Sequence, residues 1–144
     1  MSKIYNTTLY ENKEKIILDY LNISSFKNDK LYSNDKFSTF DFSNDEYKIE
    51  LKSRSCKHDT YSTLMMNTNK LKWAEKHPEK KCVFYFLFTD GLYKWNYTNN
   101  YSKRVGGRTD RNDPNDIKIL GFIPQKDLIL VNDNLSSGLK SVKK

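Results

Sequence analysis

Asp41, Glu50 and Lys52 are the side chains of this 144-residue chain whose types and spacing could do chemistry together. Two carboxylates held close on one face repel each other unless a positive charge sits between them. A hard divalent cation answers that repulsion, because Mg²⁺ takes one or two carboxylates together with waters and a substrate phosphate. Such an ion stabilises charge on a phosphoryl oxygen and generates hydroxide from water. An ammonium two residues beyond Glu50 could orient that water or steady an anionic transition state. These are the parts needed for metal-assisted phosphodiester hydrolysis.

The three residues need a rigid scaffold, and residues 37–54 read as one: two strands joined at Asn44-Asp45. Phe40 and Phe42 alternate with Thr39, Asp41 and Ser43, then Tyr47, Ile49 and Leu51 alternate with Lys48, Glu50 and Lys52. Side chains alternate across a strand, so the apolar set defines the buried face. A two-residue loop pairs Asp41 with Lys48, and a four-residue loop pairs it with Glu50. In both registers Asp41, Glu50 and Lys52 share an exposed polar face. Other Glu-x-Lys strings occur at Glu11, Glu46 and Glu79, and Glu46 and Lys48 share a strand face with Glu50 and Lys52. Glu50 is favoured because it lies deep in an apolar strand with Asp41 in reach.

Thr8-Leu9-Tyr10-Glu11 reads as a capping box that opens a helix running to about Asn22. Leu9, Ile17, Tyr20 and Leu21 form its apolar stripe. Glu14 falls near the stripe's edge, as a surface glutamate or as a carboxylate leaning toward the hairpin. Phe26, Leu31 and Tyr32 anchor the connection that follows, with a short extended piece near Leu31. A second helix is predicted over Ser62–Lys76, capped by Thr60 or Ser62, with Leu64, Met65, Thr68 and Leu71 facing the core and Pro78 enforcing the stop. Asn67 and Lys70, three apart, would then project on one side, with Lys70 placed to touch a phosphate. Cys56 and His58 are only two potential zinc ligands, with no matching pair.

The apolar run Cys82–Phe88 predicts a strand covered on both faces. Asp90-Gly91 turns it into a half-exposed strand, Leu92–Tyr97, in which Trp95 packs. Residues 98–116 read as a polar loop whose Lys103, Arg104, Arg108 and Arg111 could contact a nucleic-acid backbone, although Asp110, Asp113 and Asp116 cancel much of that charge. A strand from Ile117 to Ile123 ends at Pro124, and residues 127–131 add a docking element. The order predicts an α/β (α+β) fold, a mixed central sheet flanked by helices, as one domain over residues 1–131. Residues 132–144 read as a basic, frayed tail.

The formal net charge of +7 favours an anionic partner, nucleic acid first, although abundant Lys and Asn also follow from an A/T-rich genome. Two cysteines without a CxxC make no disulfide framework, and no apolar run reaches membrane-spanning length. The expectation is a soluble intracellular protein that does not enter a membrane.

Asp41 followed by Glu50-Leu51-Lys52 resembles the D…(D/E)xK signature of the PD-(D/E)xK nuclease superfamily, which includes restriction-type endonucleases and archaeal Holliday-junction resolvases. The string Ile49–Arg54 is similar to the resolvase version. The resemblance implies a restriction-endonuclease-like fold and a Mg²⁺-dependent endonuclease, with Mn²⁺ substituting, acting on DNA, with branched or junction DNA among the candidate substrates. It implies Asp41, Glu50 and Lys52 as the catalytic set. The metal would be held by Asp41, Glu50 and the Leu51 carbonyl, with Glu14 as the candidate from the first helix. Arg54, Asn67, Lys70, Arg104, Arg108 and Arg111 are the candidate nucleic-acid contacts. The chain departs from the signature in having Phe40 where a proline often precedes the Asp. Small nucleases that cut two strands often act as symmetric dimers, so a homodimer is the natural expectation. The alternatives are a nuclease-fold protein that binds nucleic acid without cutting it, and an adaptor within a larger assembly.

Overall fold

The computed structural model describes residues 2–35, 38–107 and 117–138. The elements are α1 (Ser2–Ile23), β1 (Tyr32–Ser33), β2 (Phe42–Ser43), β3 (Tyr47–Ser53), β4 (Thr63–Asn67), α2 (Thr68–Lys76), β5 (Lys81–Phe88), β6 (Gly91–Asn96), β7 (Ser102–Gly107), β8 (Ile117–Pro124) and β9 (Ile129–Asn132). Six strands form the main sheet in the order β1-β2-β3-β5-β6-β9, and β4-β8-β7 form a smaller one. The main sheet is mixed: β3 and β5 run parallel, the other pairs antiparallel. A parallel pair needs a crossover, here supplied by β4 and α2. This is the α+β, restriction-endonuclease-like arrangement, a mixed sheet flanked by two helices.

Residues 82–88 of β5 are all buried, and their alternation divides the protein into two cores. Val83, Tyr85 and Leu87 meet Ile17 and Leu21 of α1, together with Phe42, Ile49 and Leu51. Phe84, Phe86 and Phe88 meet Leu71 and Ala74 of α2 and Leu64, Met66 and Ile123 of the small sheet. Trp95 belongs to this second core and is fully buried, as packing requires. Gly121 of β8 lies so close to Leu71 that a side chain there would overlap it, which lets α2 approach the small sheet. Gly91 opens β6 at φ 151°, a value that L side chains rarely adopt.

Several boundaries differ from the sequence reading. Helix α1 begins at Ser2 and not after a capping box. Residues 2–7 contain no Gly or Pro to arrest it, and Thr8 is itself helical, which an N-cap residue is not. The side chains of Thr8, Leu9 and Glu11 lie outside the described residues. Residues 63–67 form a strand, not the first turns of a helix. Leu64 and Met66 point inward and Met65 is 55% exposed, a period of two imposed by pairing with β8. That partner lies more than fifty residues away, so tertiary pairing overrides local propensity. The helix proper buries Thr68, Leu71 and Ala74. Residues 102–107, expected within a loop, pair with β8 as β7, while residues 108–116 lie outside the described residues. Tyr32 is exposed, whereas Leu31 is buried and clamped by the Asn22 side chain through bonds of 2.8 and 3.1 Å.

The tail docks as far as it is described. The Ser137 amide donates to the Phe88 carbonyl at 2.8 Å, and Lys13 Nζ donates to the Ser137 carbonyl at 2.7 Å. Residues 139–144 lie outside the described residues.

Candidate active site

The site forms where β2 and β3 separate. Phe42 pairs with Ile49 and Ser43 with Lys48, the register of the four-residue loop. Asn44 sets it: its side-chain oxygen accepts the amides of Glu46 and Tyr47 at 2.9 and 2.7 Å, and its own amide donates to the Tyr47 carbonyl. Such Asx turns are the usual work of Asn in a loop. The next residue, Asp41, lies outside the regular ladder: its amide donates to the Ile49 carbonyl at 3.0 Å, and its charge acts on Glu50 of β3.

Beyond that bond the ladder changes character. The Leu51 amide donates to Asp41 Oδ2 at 2.9 Å, a side-chain acceptor standing where a strand carbonyl would serve. The N–H and C=O of one strand residue leave on the same edge, so the Leu51 carbonyl is also on the Asp41 side. The Phe40 carbonyl is taken by Asn34 Nδ2 at 3.0 Å. With the backbone bent, Phe40 enters the second core against Trp73, while Phe42 stays in the first. The expectation that both phenylalanines share a face is therefore corrected, because only Phe42 is in the regular strand.

Asn34 holds this bend from three directions. Its amide donates to the Asp41 carbonyl at 2.9 Å, its Nδ2 reaches Phe40, and its Oδ1 accepts the Ser43 hydroxyl at 2.8 Å. Nothing in the sequence singled it out, since it sits in the connection before the hairpin.

Glu50 is only 4% exposed, which corrects the expectation of an exposed polar face. The second core closes over the sheet face that it shares with Phe84 and Phe86. Its Oε2 lies 3.1 Å from Lys52 Nζ and 3.3 Å from Lys70 Nζ. Burial pushes the Glu50 carboxyl above the usual carboxylate range, the nearby Asp41 charge pushes it further, and the two lysines only partly offset them. Lys70 reaches the site from the first turn of α2, where the helical spacing to Asn67 does not apply because Asn67 ends β4. The Asn67 side chain lies outside the described residues.

The rival Glu46–Lys48 pair is occupied elsewhere. Glu46 bonds Lys81 at 2.6 Å on the surface, and Lys48 Nζ lies 5.8 Å from the Trp73 ring centre. Glu14 is on α1, which packs on the Ile49 and Leu51 face, so its helix and the Glu50 carboxylate lie on opposite faces of the main sheet. Arg54 follows β3 and borders a groove with Tyr61, Met65 and Phe122. The Arg104 guanidinium stacks on Phe122 at 3.9 Å. Arg108 and Arg111 lie outside the described residues.

A second constellation stands apart. His58, Asp59 and Asp90 bring ligand atoms within 4.8 Å of one another, and Cys56 is not among them. His58 Nδ1 lies 2.6 Å from Asp90 Oδ2, the His58 amide donates to Asp90 Oδ1, and the imidazole stacks on Tyr93. Burial opposes it, but these bonds hold the Asp90 carboxyl below its ordinary value. They tie the loop after β3 to the turn after β5, a structural use of the His58 Nδ1 and the Asp90 carboxylate.

The Asp41–Glu50 pair fits a hard divalent cation better. Both donors are carboxylates, their mutual repulsion raises Glu50, and two ammonium groups lie where positive charge is called for. No curated protein and no solved structure matches this chain. Residues 8–131 match the family described as "Phage putative PDDEXK endonuclease". That span contains Asp41, Glu50, Lys52 and Lys70, and with the mixed sheet that presents them it places the chain in the PD-(D/E)xK nuclease family.

Proposed function

We propose that the protein is a Mg²⁺-dependent endonuclease acting on DNA through Asp41, Glu50 and Lys52. The observation that carries this reading is the pinned carboxylate of Asp41 set near a buried Glu50 whose Oε2 faces two lysines. Asp41, Glu50 and the Leu51 carbonyl would hold the ion, with Mn²⁺ able to substitute. When bound, the metal polarises a phosphoryl oxygen and lowers the pKa of water. The Leu51 amide fixes the Asp41 carboxylate in place. Lys52, on the same strand face as Glu50, orients the attacking water and steadies charge on the phosphorane-like transition state. Lys70, rooted on α2, binds the phosphate next to it. The basic surface draws in the nucleic acid, and a homodimer would place two such sites for two strands.

Incubating the protein with plasmid, branched and single-stranded DNA, with Mg²⁺ or Mn²⁺, tests the proposal. Metal-dependent cleavage absent from an Asp41→Asn variant is the expected result. Asn is the better control than Ala, because Ala leaves the Leu51 amide without its acceptor at a cost of about 1–3 kcal/mol. Salt-sensitive binding with no cleavage in any metal would sink the enzyme reading and leave a nuclease fold that only binds.

The Asn34 side chain acts on the site by holding the bend on either side of Asp41, at the Phe40 carbonyl and the Ser43 hydroxyl. Asn34→Ala keeps the main-chain bond to Asp41 but releases those two side-chain bonds. It is expected to raise the Mg²⁺ concentration for half-maximal cleavage by about 10-fold, the lower end of the cost of losing an outer-shell partner. A metal titration of the cleavage rate reads this directly. An unchanged midpoint would reduce Asn34 to a loop staple.

A further inference from the structure

The groove beyond Arg54 is not used by the chemistry above. One wall is the outer face of the small sheet, where Met65 and Phe122 are directly paired across β4 and β8. Tyr61 stands over the same groove and is 64% exposed, and Met65 is 55% exposed. Large apolar side chains gathered at one concave surface mark a binding site more often than they occur by chance. Two cations frame it: Arg54 lines it, and the Arg104 guanidinium lies over the Phe122 ring, 3.9 Å from its centre.

Arg54, which lines the groove, lies two residues beyond Lys52 of the candidate active site. The Arg54 amide donates to the Leu87 carbonyl at 2.9 Å, so the ladder with β5 extends one residue past β3. Glu50, Lys52 and Arg54 therefore follow one another on one strand face, each step being about 7 Å. A nucleic-acid strand leaving the reacting phosphate on the Lys52 side meets Arg54 and then the aromatic groove.

We propose that this groove binds unpaired nucleotides of the substrate strand, with bases stacked on Tyr61 and against Met65 and phosphates met by Arg54 and Arg104. Flat rings interleaved with cations suit single strands, because every base has a face to stack and the backbone supplies the charge. In a duplex the bases are already stacked on each other, so the rings would gain nothing. The substrate class is thus a single strand, or a duplex with an unpaired arm. This rests on the nuclease reading for its purpose but not for its test.

The test uses the full chain in EDTA, with fluorescein-labelled oligo(dT) and a blunt duplex of equal length as probes, read by anisotropy. Tyr61→Ala is expected to weaken oligo(dT) binding by about 10-fold, within the range for one lost stacking partner. Tyr61→Phe should restore it, and the duplex should change by less than about 2-fold. Arg104→Ala should flatten the salt dependence of oligo(dT) binding by about 0.7 in log–log slope. Equal losses for both probes, no loss, or no measurable oligo(dT) binding by the unaltered protein would each overturn the proposal. Mg²⁺-dependent hydrolysis by the unaltered protein reports separately on the nuclease reading. Tyr61-dependent binding without hydrolysis would leave the groove standing and remove the enzyme.

Discussion

Glu50→Gln is expected to abolish metal-dependent cleavage and, at neutral pH, to make the protein more stable. The loss of activity follows from removing one of two anionic ligands at a site with few others, and should reach about 10³-fold or more. The gain in stability follows from the environment of Glu50. Its folded carboxyl keeps its proton to higher pH than the ordinary value of 4.5, through burial first and the Asp41 charge second. Between those two pH values the folded chain binds more protons than the unfolded chain, so stability falls as pH rises through that window. Above it the full cost of the buried charge is present, and Gln removes it. The expected shift in Tm is about 2–4 °C upward, the size that about 1 kcal/mol produces in a chain of this length. Well below the ordinary carboxylate range the wild-type group is neutral too, and the difference should vanish. Thermal melts at the two pH extremes check the sign. A variant less stable at neutral pH would mean that the two lysines outweigh burial. Functional sites commonly carry such a cost in stability.

Lys52 and Lys70 touch the same Glu50 oxygen, and their removal is expected to separate two functions. Lys52→Ala should lower kcat by about 10²–10⁴-fold with a smaller effect on KM, as expected for a group acting in the transition state. Lys70→Ala should raise KM for DNA more than it lowers kcat, because it removes a contact made equally to substrate and transition state. Steady-state cleavage of a labelled oligonucleotide at saturating Mg²⁺ distinguishes them. The reverse pattern would exchange the two roles. Equal, purely kcat effects would make both lysines part of the chemistry.

How much of this was legible in the sequence depended on whether the deciding contacts were local. The strand run at Cys82–Phe88, the Asp90-Gly91 turn and the stop at Pro78 were readable, because propensity and pattern act over a few residues. The inward face of Ile49 and Leu51 was readable for the same reason. Residues 63–67 read as helix and fold as strand, since their apolar residues suit a helix until β8 lies alongside. Arg104 reads as a loop residue because its strand partner, Leu120, is distant along the chain. Glu50 was expected on an exposed face because periodicity tells which side a residue takes, not what covers that side.

By itself the sequence determined the carriers of the chemistry: Asp41 one strand before Glu50-Leu51-Lys52, between a helix and a buried aromatic strand. It left two registers open for Asp41. The tertiary structure decided between them, because the Asn44 turn closes the four-residue loop. It then took Asp41 out of the ladder, so that its carboxylate meets the Leu51 amide beside Glu50. It also decided the field at Glu50, through burial under α2 and the small sheet and through Lys70 arriving from the next helix. Those contacts join residues that are distant along the chain and adjacent only after the crossover from β3 to β5 has folded. Residue type is written locally, whereas pKa, register and convergence are properties of neighbours in space.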